Sequence, residues 1–388
     1  MLLTVTRRIN NNGKDKEGGF DNLLNYIRIY EKNIWQINLP LTKSDHYTFV
    51  KFLDNNQKRE YKFSKFQNYI PFFLRIAILD SFILFTSLAL IFAFRGKIKV
   101  YSADTYSSFV LKLFYEFGLI KCWLQHIPDY RPLEFRFNNK VIDYIYKKSL
   151  VLTYTVPDCV TTPNEKIDKA LKLEVGLSPK RCIVISNVFK PIRRQIGSVM
   201  PPRYLCMPSQ IDENSLLIEM IPILKSYLIS TGGILVVVGD TKKKEYIKKL
   251  KERILELEIE KHVTFVGMLN QQELSRILNE VQVGIALYRG DQKYNFNQYG
   301  DSLKIRQFAA YGIPVIGTRS ISPMSELEGA GGGFGVDSVI ELEIIVQKLL
   351  SPVAYKKICK LSSKWANENW EQYKLKANEV LKMLDIII

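Results

Sequence analysis

The chain has 388 residues, of which 47% are hydrophobic and 24% charged, and its formal charge is +16. That length exceeds one ordinary core and suits two domains, while the composition excludes collagen-like, disordered and disulfide-scaffold classes. The charge points to an anionic partner and sits mostly in the first half: residues 1–190 hold 29 Lys/Arg against 17 Asp/Glu, the remainder 26 against 22.

Met1-Leu-Leu-Thr-Val-Thr, followed by Arg7-Arg8, lacks the h-region of a signal peptide and predicts a buried first strand over 2–6. A loop over 7–20 follows, in which Gly18 and Gly19 let the backbone approach a ligand closely; a flexible basic surface loop from Arg7 to Lys16 accounts for the same residues equally well. A helix is predicted over 20–31 and a second strand over 34–39. The segment Ile76–Phe94 is 19 residues long and almost wholly apolar. It is just long enough to span a bilayer. A strand over 97–102 follows at once, however, so a helix of the first domain that is buried or partly exposed at an interface fits better, and one face resting on a membrane is an intermediate reading. A further strand over 122–126 ends in His126, followed by Pro128 and Asp129. A single histidine there is most often structural, although strand C-termini of open α/β sheets face the ligand crevice. The five cysteines form no C-x-x-C pair and read as reduced thiols in a cytosolic protein.

In the second half Ile234–Gly239 is a continuous apolar run, the pattern of a parallel strand covered on both faces. A charged helix over 241–260, a strand over 263–267, and a helix over 271–280 with Leu274, Ile277 and Leu278 on one face come next. A strand over 281–287, an irregular stretch over 288–300, a helix over 302–311 and a strand over 314–318 complete the series. This alternation predicts βαβ units and a doubly wound α/β sheet. The expected organisation is two Rossmann-like domains, 1–190 and 191–362, with a C-terminal segment 363–388 whose helix is long enough to pack across both.

Gly300, Asp301 and Ser302 are N-cap residue types directly before a helix. A helix start offers free N–H groups and a positive dipole end to phosphate. Lys304 lies in the first turn, where a cation is unfavourable unless an anion accompanies it. A solvated lysine on an ordinary capped helix accounts for the same residues equally well.

Tyr299-Gly-Asp-Ser-Leu-Lys304 through Gly312-Ile-Pro-Val-Ile316 resembles the donor segment of GT-B glycosyltransferases of family 4, which often read D-x-x-K-x-x-E-Y-x-A-x-G-x-P-V-I. Asn187-Val-Phe-Lys-Pro191 is similar to the family's passage between domains. Gln125-His-Ile-Pro-Asp-Tyr-Arg-Pro132, with Phe137-Asn138 and Tyr144-Ile-Tyr146, looks like its first-domain segment after the fifth strand. Val263-Thr-Phe-Val-Gly-Met-Leu269, with Gln272-Glu-Leu274, resembles the segment beside the nucleotide base.

The resemblance implies two Rossmann-like domains facing a central cleft, with a donor site in the second and an acceptor site in the first. Lys304 would meet the donor diphosphate, with Asp301 and Ser302 at the same helix start. Gly267 and Met268 would lie near the base, and the Gly18-Gly19 loop would face sugar and diphosphate. Tyr299 and Gln307 stand where the family has a glutamate pair; glutamine can still bond hydroxyls, as a neutral group. At 205–217 the family's cations are replaced by Gln210, Asp212 and Glu213, so either the phosphates depend on Lys304 and other groups such as Arg289, or the donor site is weakened. His126 would touch the transferred sugar. A retaining transfer needs no protein base, and an inverting one would draw it from Asp104, Asp129 or His126.

No metal or other cofactor is expected, the donor being a UDP- or GDP-sugar. The acceptor is expected to be a glycan or a polyprenyl-phosphate-linked molecule in cell-surface polysaccharide or glycoconjugate synthesis. The protein would be cytoplasmic, peripheral on the membrane through its basic first domain. The sequence leaves two other classes to compare. A non-catalytic GT-B subunit binding a glycan or a partner transferase would explain the altered donor residues. Nucleic-acid binding lacks any recognisable module and is not expected.

Overall fold

The computed structural model describes residues 1–8, 19–40, 47–52, 58–63, 80–95, 97–132, 140–194, 203–206, 210–241, 243–290 and 292–386. Residues 1–186 with 373–388 form one compact unit, and residues 187–372 form the other.

The first unit is built on an eight-stranded sheet. Strand β1 (Leu2–Arg8) pairs in parallel with β2 (Ile34–Pro40) on one side and β5 (Ile98–Ser102) on the other. Beyond β5 lie the parallel strands β6 (Ile120–His126), β7 (Cys159–Thr162) and β8 (Cys182–Val184). Beyond β2 the antiparallel β3 (Tyr47–Phe52) and β4 (Lys58–Phe63) extend the edge. The chain leaves β1 toward β2 and later returns to β1's other side as β5. The crevice end of this sheet therefore lies at the C-termini of β1 and β5.

Helix α1 (Gly19–Tyr30) buries Phe20, Leu23, Leu24 and Ile27. Helix α2 (Ser81–Arg95) contributes Leu84 and Leu88, and helix α3 (Ser108–Glu116) contributes Leu111 and Phe114, to a core with Leu3, Val5, Val100 and Trp123. Helix α2 thus buries one side only: Phe82 and Phe85 are exposed. Residues 76–79 of the expected apolar helix lie outside the described residues, and no helix among the described residues is long and apolar enough to cross a membrane. Helices α4 (Lys140–Thr155) and α5 (Glu165–Val175) follow β6 and β7. The four cysteines whose side chains are described, Cys122, Cys159, Cys182 and Cys359, are free thiols.

The second unit carries a parallel six-stranded sheet: β9 (Arg203–Cys206), β10 (Ile234–Val238), β11 (Val263–Gly267), β12 (Val283–Ala286), β13 (Val315–Thr318) and β14 (Gly333–Val336). Its spatial order, β11-β10-β9-β12-β13-β14, is the 3-2-1-4-5-6 winding of dinucleotide-binding sheets. The apolar run of β10 has a direct cause. Leu235 and Val237 enter one core layer with α6 (Leu217–Thr231) and α7 (Lys244–Glu256), whereas Val236 and Val238 enter the opposite layer. That opposite layer holds Leu278 of α8 (Gln271–Glu280), Ile305 and Phe308 of α9 (Leu303–Ala310), and Met324 of α10 (Ser322–Gly329). A strand buried on both faces has no polar alternation to show. Helix α8 starts on a capping box between Asn270 and Glu273.

Helix α11 (Leu342–Leu349) precedes the last helix, α12 (Pro352–Met383), which starts well before the expected residue 363. Its residues to Gln372 belong to the second unit and those from Tyr373 to the first. The tail is stitched to the first unit by Tyr26 to Asn378 (2.8 Å) and by Lys121 to Asp385 (3.0 Å).

Gly312 explains the Gly-Ile-Pro-Val-Ile run. It ends α9 at φ +64°, donating to Ala309 O (2.8 Å), while Ile313 N reaches Phe308 O (3.0 Å). A Cβ there would also fall 2.4 Å from Ser363 Oγ. Gly312→Ala is expected to cost about 1–3 kcal/mol in urea unfolding, combining left-handed strain with overpacking.

Candidate functional site

The switch point of the second sheet lies between the C-termini of β9 and β12. The loops leaving those strands are tied together. Arg289 N donates to Asn214 O (3.2 Å), and Asn297 Nδ2 donates to Asn214 Oδ1 and to Arg289 O (both 2.8 Å). Asp212 caps the single turn Glu213–Ser215 by accepting from Asn214 N (3.0 Å).

Tyr288, just past β12, organises the start of α9. Its N–H donates to Thr318 Oγ1 (2.8 Å), and the Thr318 hydroxyl donates back to Tyr288 O (3.0 Å). Its own hydroxyl lies 2.8 Å from Ser302 Oγ and accepts from Lys304 Nζ (3.2 Å), whose ammonium also sits over the tyrosine ring, 5.2 Å from its centroid. Lys304, Ser302 and Tyr288 thus gather at a helix N-terminus, where the first N–H groups have no intrahelical acceptor. Ser302 occupies the N-cap position without a side-chain cap bond; its hydroxyl serves Tyr288 instead. An ammonium and a helix dipole aligned there favour a negatively charged ligand.

Asp301 faces inward. Its carboxylate has 1% exposure, accepts from Asn187 N (2.8 Å) and pairs with the buried Arg306 guanidinium (2.8 Å). Arg306 reaches Asn369 (3.0 Å) and Glu326 (3.5 Å) and packs over the Trp365 ring. Burial pushes the Asp301 carboxyl up, and Arg306 opposes that shift. The geometry gives Asp301 the task of fixing the helix start, in place of direct contact with a ligand.

Arg289 is also engaged: Nε donates to Glu213 O (2.6 Å), and the guanidinium ion-pairs with Glu219 of α6. A phosphate reaching Arg289 has to compete with that carboxylate. Glu213 in turn pairs with Lys243. Gln307 is buried one turn after Lys304, and Tyr299 is half-buried at the end of the 3-10 turn Gln292–Tyr299. Gly267 sits exposed at φ +68° with open space where a Cβ would point, and its carbonyl accepts from Gly239 N (3.0 Å). With the half-buried Met268, it lies at the same sheet edge, three strands from β12.

In the first unit Gly18 lies outside the described residues, and Gly19 is the first residue of α1. His126 ends β6, opposite Thr161 of β7, whose Oγ1 is 2.9 Å from its Nδ1. Its Nε2 is buried without a hydrogen-bond partner, beside the stacked rings of Phe20 and Tyr101. Burial pulls its pKa down to about 4, so the imidazole is neutral at pH 7. Asp104 follows β5, is buried, and accepts from Ser107 N (2.8 Å) ahead of α3; Asp80 and Asp104 line one small cavity. Asp129 is exposed, 3.7 Å from Arg131. Asp104, His126 and Asp129 lie at or just after the C-termini of β5 and β6, at the crevice edge of the sheet.

A buried neutral histidine has a stability signature. The unfolded chain binds a proton near pH 6.5 that the folded chain refuses until about pH 4. Its contribution is therefore present above pH 6.5 and falls as pH drops through that window, by about 1 kcal/mol per unit. Urea midpoints between pH 7 and pH 4 are expected to show this slope, and His126→Gln is expected to flatten it.

A family model for glycosyl transferases group 1 matches residues 204–351. The second unit is a group 1 glycosyltransferase domain, and the chain has the GT-B fold. Among solved structures, this glycosyltransferase is similar to sucrose-phosphate synthase from Thermosynechococcus elongatus, at 15% identity over 99% of each chain with a TM-score of 0.73. It is similar to a trehalose-phosphate synthase from Burkholderia vietnamiensis, at 10% identity over 100% of each chain and a TM-score of 0.69. Anabaena HepE, solved with UDP and glucose, gives 12% identity over 99% of each chain and a TM-score of 0.65. No curated protein matches the sequence. At these identities the likeness establishes fold, and the glycosyltransferase assignment rests on the 204–351 match.

Sequence reasoning located the helix start, with Lys304 in its first turn, but did not mark Tyr288 and Thr318 beside it. Nothing in the sequence marks a tyrosine sixteen positions from Lys304 as its partner, because their meeting depends on which strands are neighbours. Glu219, the counter-charge of Arg289, was missed for the same reason.

Proposed function

We propose that this glycosyltransferase takes a sugar from a nucleotide-sugar donor, held by its diphosphate at the start of α9, and transfers it to an acceptor bound by the first unit. The observation that carries the reading is Lys304, Ser302 and Tyr288 gathered at a helix N-terminus, at the crevice edge of a 3-2-1-4-5-6 sheet. Lys304 and the helix dipole would stabilise the leaving diphosphate's charge. Neutral Gln307 would bond ribose hydroxyls, and Gly267 with Met268 would flank the base. Because HepE was solved with UDP and glucose, a UDP-sugar is the first donor to test, with a GDP-sugar second; no metal is required by this scheme.

We infer further that the acceptor is lipid-linked and phosphorylated, serving cell-surface polysaccharide or glycoconjugate synthesis at the cytoplasmic membrane face. The excess of cations in residues 1–190 supports this. The expected course is retaining. His126, neutral and with a buried ring nitrogen to spare, suits contact with a sugar hydroxyl, and Asp104 or Asp129 would serve as base only in an inverting course.

A panel of nucleotide sugars, scored by ligand-induced melting shift and by nucleotide release, tests the reading. One donor is expected to raise Tm and to be turned over when acceptor is added. No response to any UDP- or GDP-sugar would favour the non-catalytic subunit, for which the Arg289–Glu219 pair is the motivating observation.

A further inference from the structure

The helices α2, α3, α4 and α5 lie side by side on one face of the first sheet, with α2 against α3, α3 against α4 and α4 against α5. Their inner sides build the core already described. Their outer sides are unusual. Among the described residues, the four exposed phenylalanines, Phe82, Phe85, Phe109 and Phe117, all belong to α2 and to α3 with its C-cap. Phe117 is 72% exposed and Phe82 63%. Phe85 packs edge-on against Phe114 (5.2 Å between centroids), so the α2 and α3 faces are continuous. Soluble proteins seldom leave such aromatic faces open unless something covers them.

The neighbouring helix says what covers it. The outward residues of α4 are Lys140, Val141, Tyr144, Lys147 and Lys148, all exposed and spaced as one helical stripe. Lys148 lies over the Tyr144 ring at 5.5 Å. Protein interfaces are depleted in lysine at their centres. Lysines beside an amphipathic tyrosine and bare phenylalanines match the boundary of an anionic bilayer, where rings enter the headgroup layer and ammonium groups meet lipid phosphate. Fifteen residues of α2 cannot cross a hydrocarbon core at 1.5 Å per residue, so the face rests on the membrane and does not span it.

We propose that the outer face of α2, α3 and α4 is a membrane-docking surface, with Phe82, Phe85, Phe109 and Phe117 inserted and Lys140, Lys147 and Lys148 on anionic headgroups. This deepens the reading of the acceptor as lipid-linked and rests on it. It places docking on a defined face rather than on the net charge of the unit.

The test is co-sedimentation of the full chain with vesicles of phosphatidylcholine alone and of phosphatidylcholine mixed with phosphatidylglycerol, without donor or acceptor. The chain is expected to bind the anionic vesicles and to lose binding as salt rises. Lys147→Glu with Lys148→Glu is expected to weaken binding at least about tenfold. Phe82→Ser with Phe117→Ser should do likewise at unchanged charge, and Lys249→Glu with Lys251→Glu on α7 should bind like the parent. Failure of the parent to bind anionic vesicles, or equal binding by all variants, overturns the proposal. So does a dimer in solution that the phenylalanine variant dissociates, since the face would then cover a second copy. All substitutions are at exposed positions, and donor-induced melting shifts in the same preparations keep a failure of docking distinct from a failure of the transferase reading.

Discussion

Lys304→Ala is expected to weaken nucleotide-sugar binding about 10- to 100-fold, the range of one charged hydrogen bond to phosphate. It should leave unfolding nearly unchanged. The side chain is half-buried, and its contacts include the Tyr288 hydroxyl and ring. Losing that cation–π contact costs at most about 1 kcal/mol, and the hydroxyl keeps Ser302 as a partner. Tyr288→Phe keeps the ring and removes the hydroxyl, so it should loosen Lys304 and cost donor affinity only a few-fold, on the order of one neutral hydrogen bond. Calorimetric titration with the responding donor, alongside urea unfolding, separates the two effects. Parent-like donor affinity in Lys304→Ala would remove the diphosphate from α9 and direct attention to Arg289. There, Glu219→Gln should then strengthen donor binding by releasing the guanidinium.

The second sheet was readable where a strand is covered on both faces: β10 announces itself as an apolar run, and α8 announces its start through Asn270 and Glu273. The edge hairpin β3–β4 was not foreseen. Lys51, Lys58, Arg59 and Lys62 interrupt its apolar residues, as an edge strand that must avoid further pairing requires. The residue types that signal a cap, Asp301 and Ser302, were legible, but their use was not. Each found a stronger partner through the fold, Arg306 for one and Tyr288 for the other. Local pattern told where α9 begins; only tertiary contacts told which of its first residues face inward. The end of β6 at His126 was legible as a crevice position for a general reason, that parallel winding sends every such end to one edge.

Asp301→Ala is the substitution expected to damage stability most. Removing one partner of a buried ion pair leaves the other charge uncompensated, which costs about 3–5 kcal/mol. Arg306 keeps Asn369 and, at 3.5 Å, Glu326, so the lower part of that range is expected. Asn187 N–H loses its acceptor as well. Asp301→Asn retains an oxygen for that N–H and should cost clearly less. If the pair matters only through the stranded charge, then Asp301→Ala combined with Arg306→Leu should recover part of the loss, a coupling that a double-mutant cycle in urea reads directly. A parent-like unfolding midpoint for Asp301→Ala would refute the positioning role. Donor affinity supplies the discriminating second readout. Asp301 anchors the residue before Ser302 and touches no ligand in this scheme, so Asp301→Asn should bind donor far better than Lys304→Ala does, despite being the less stable of the two.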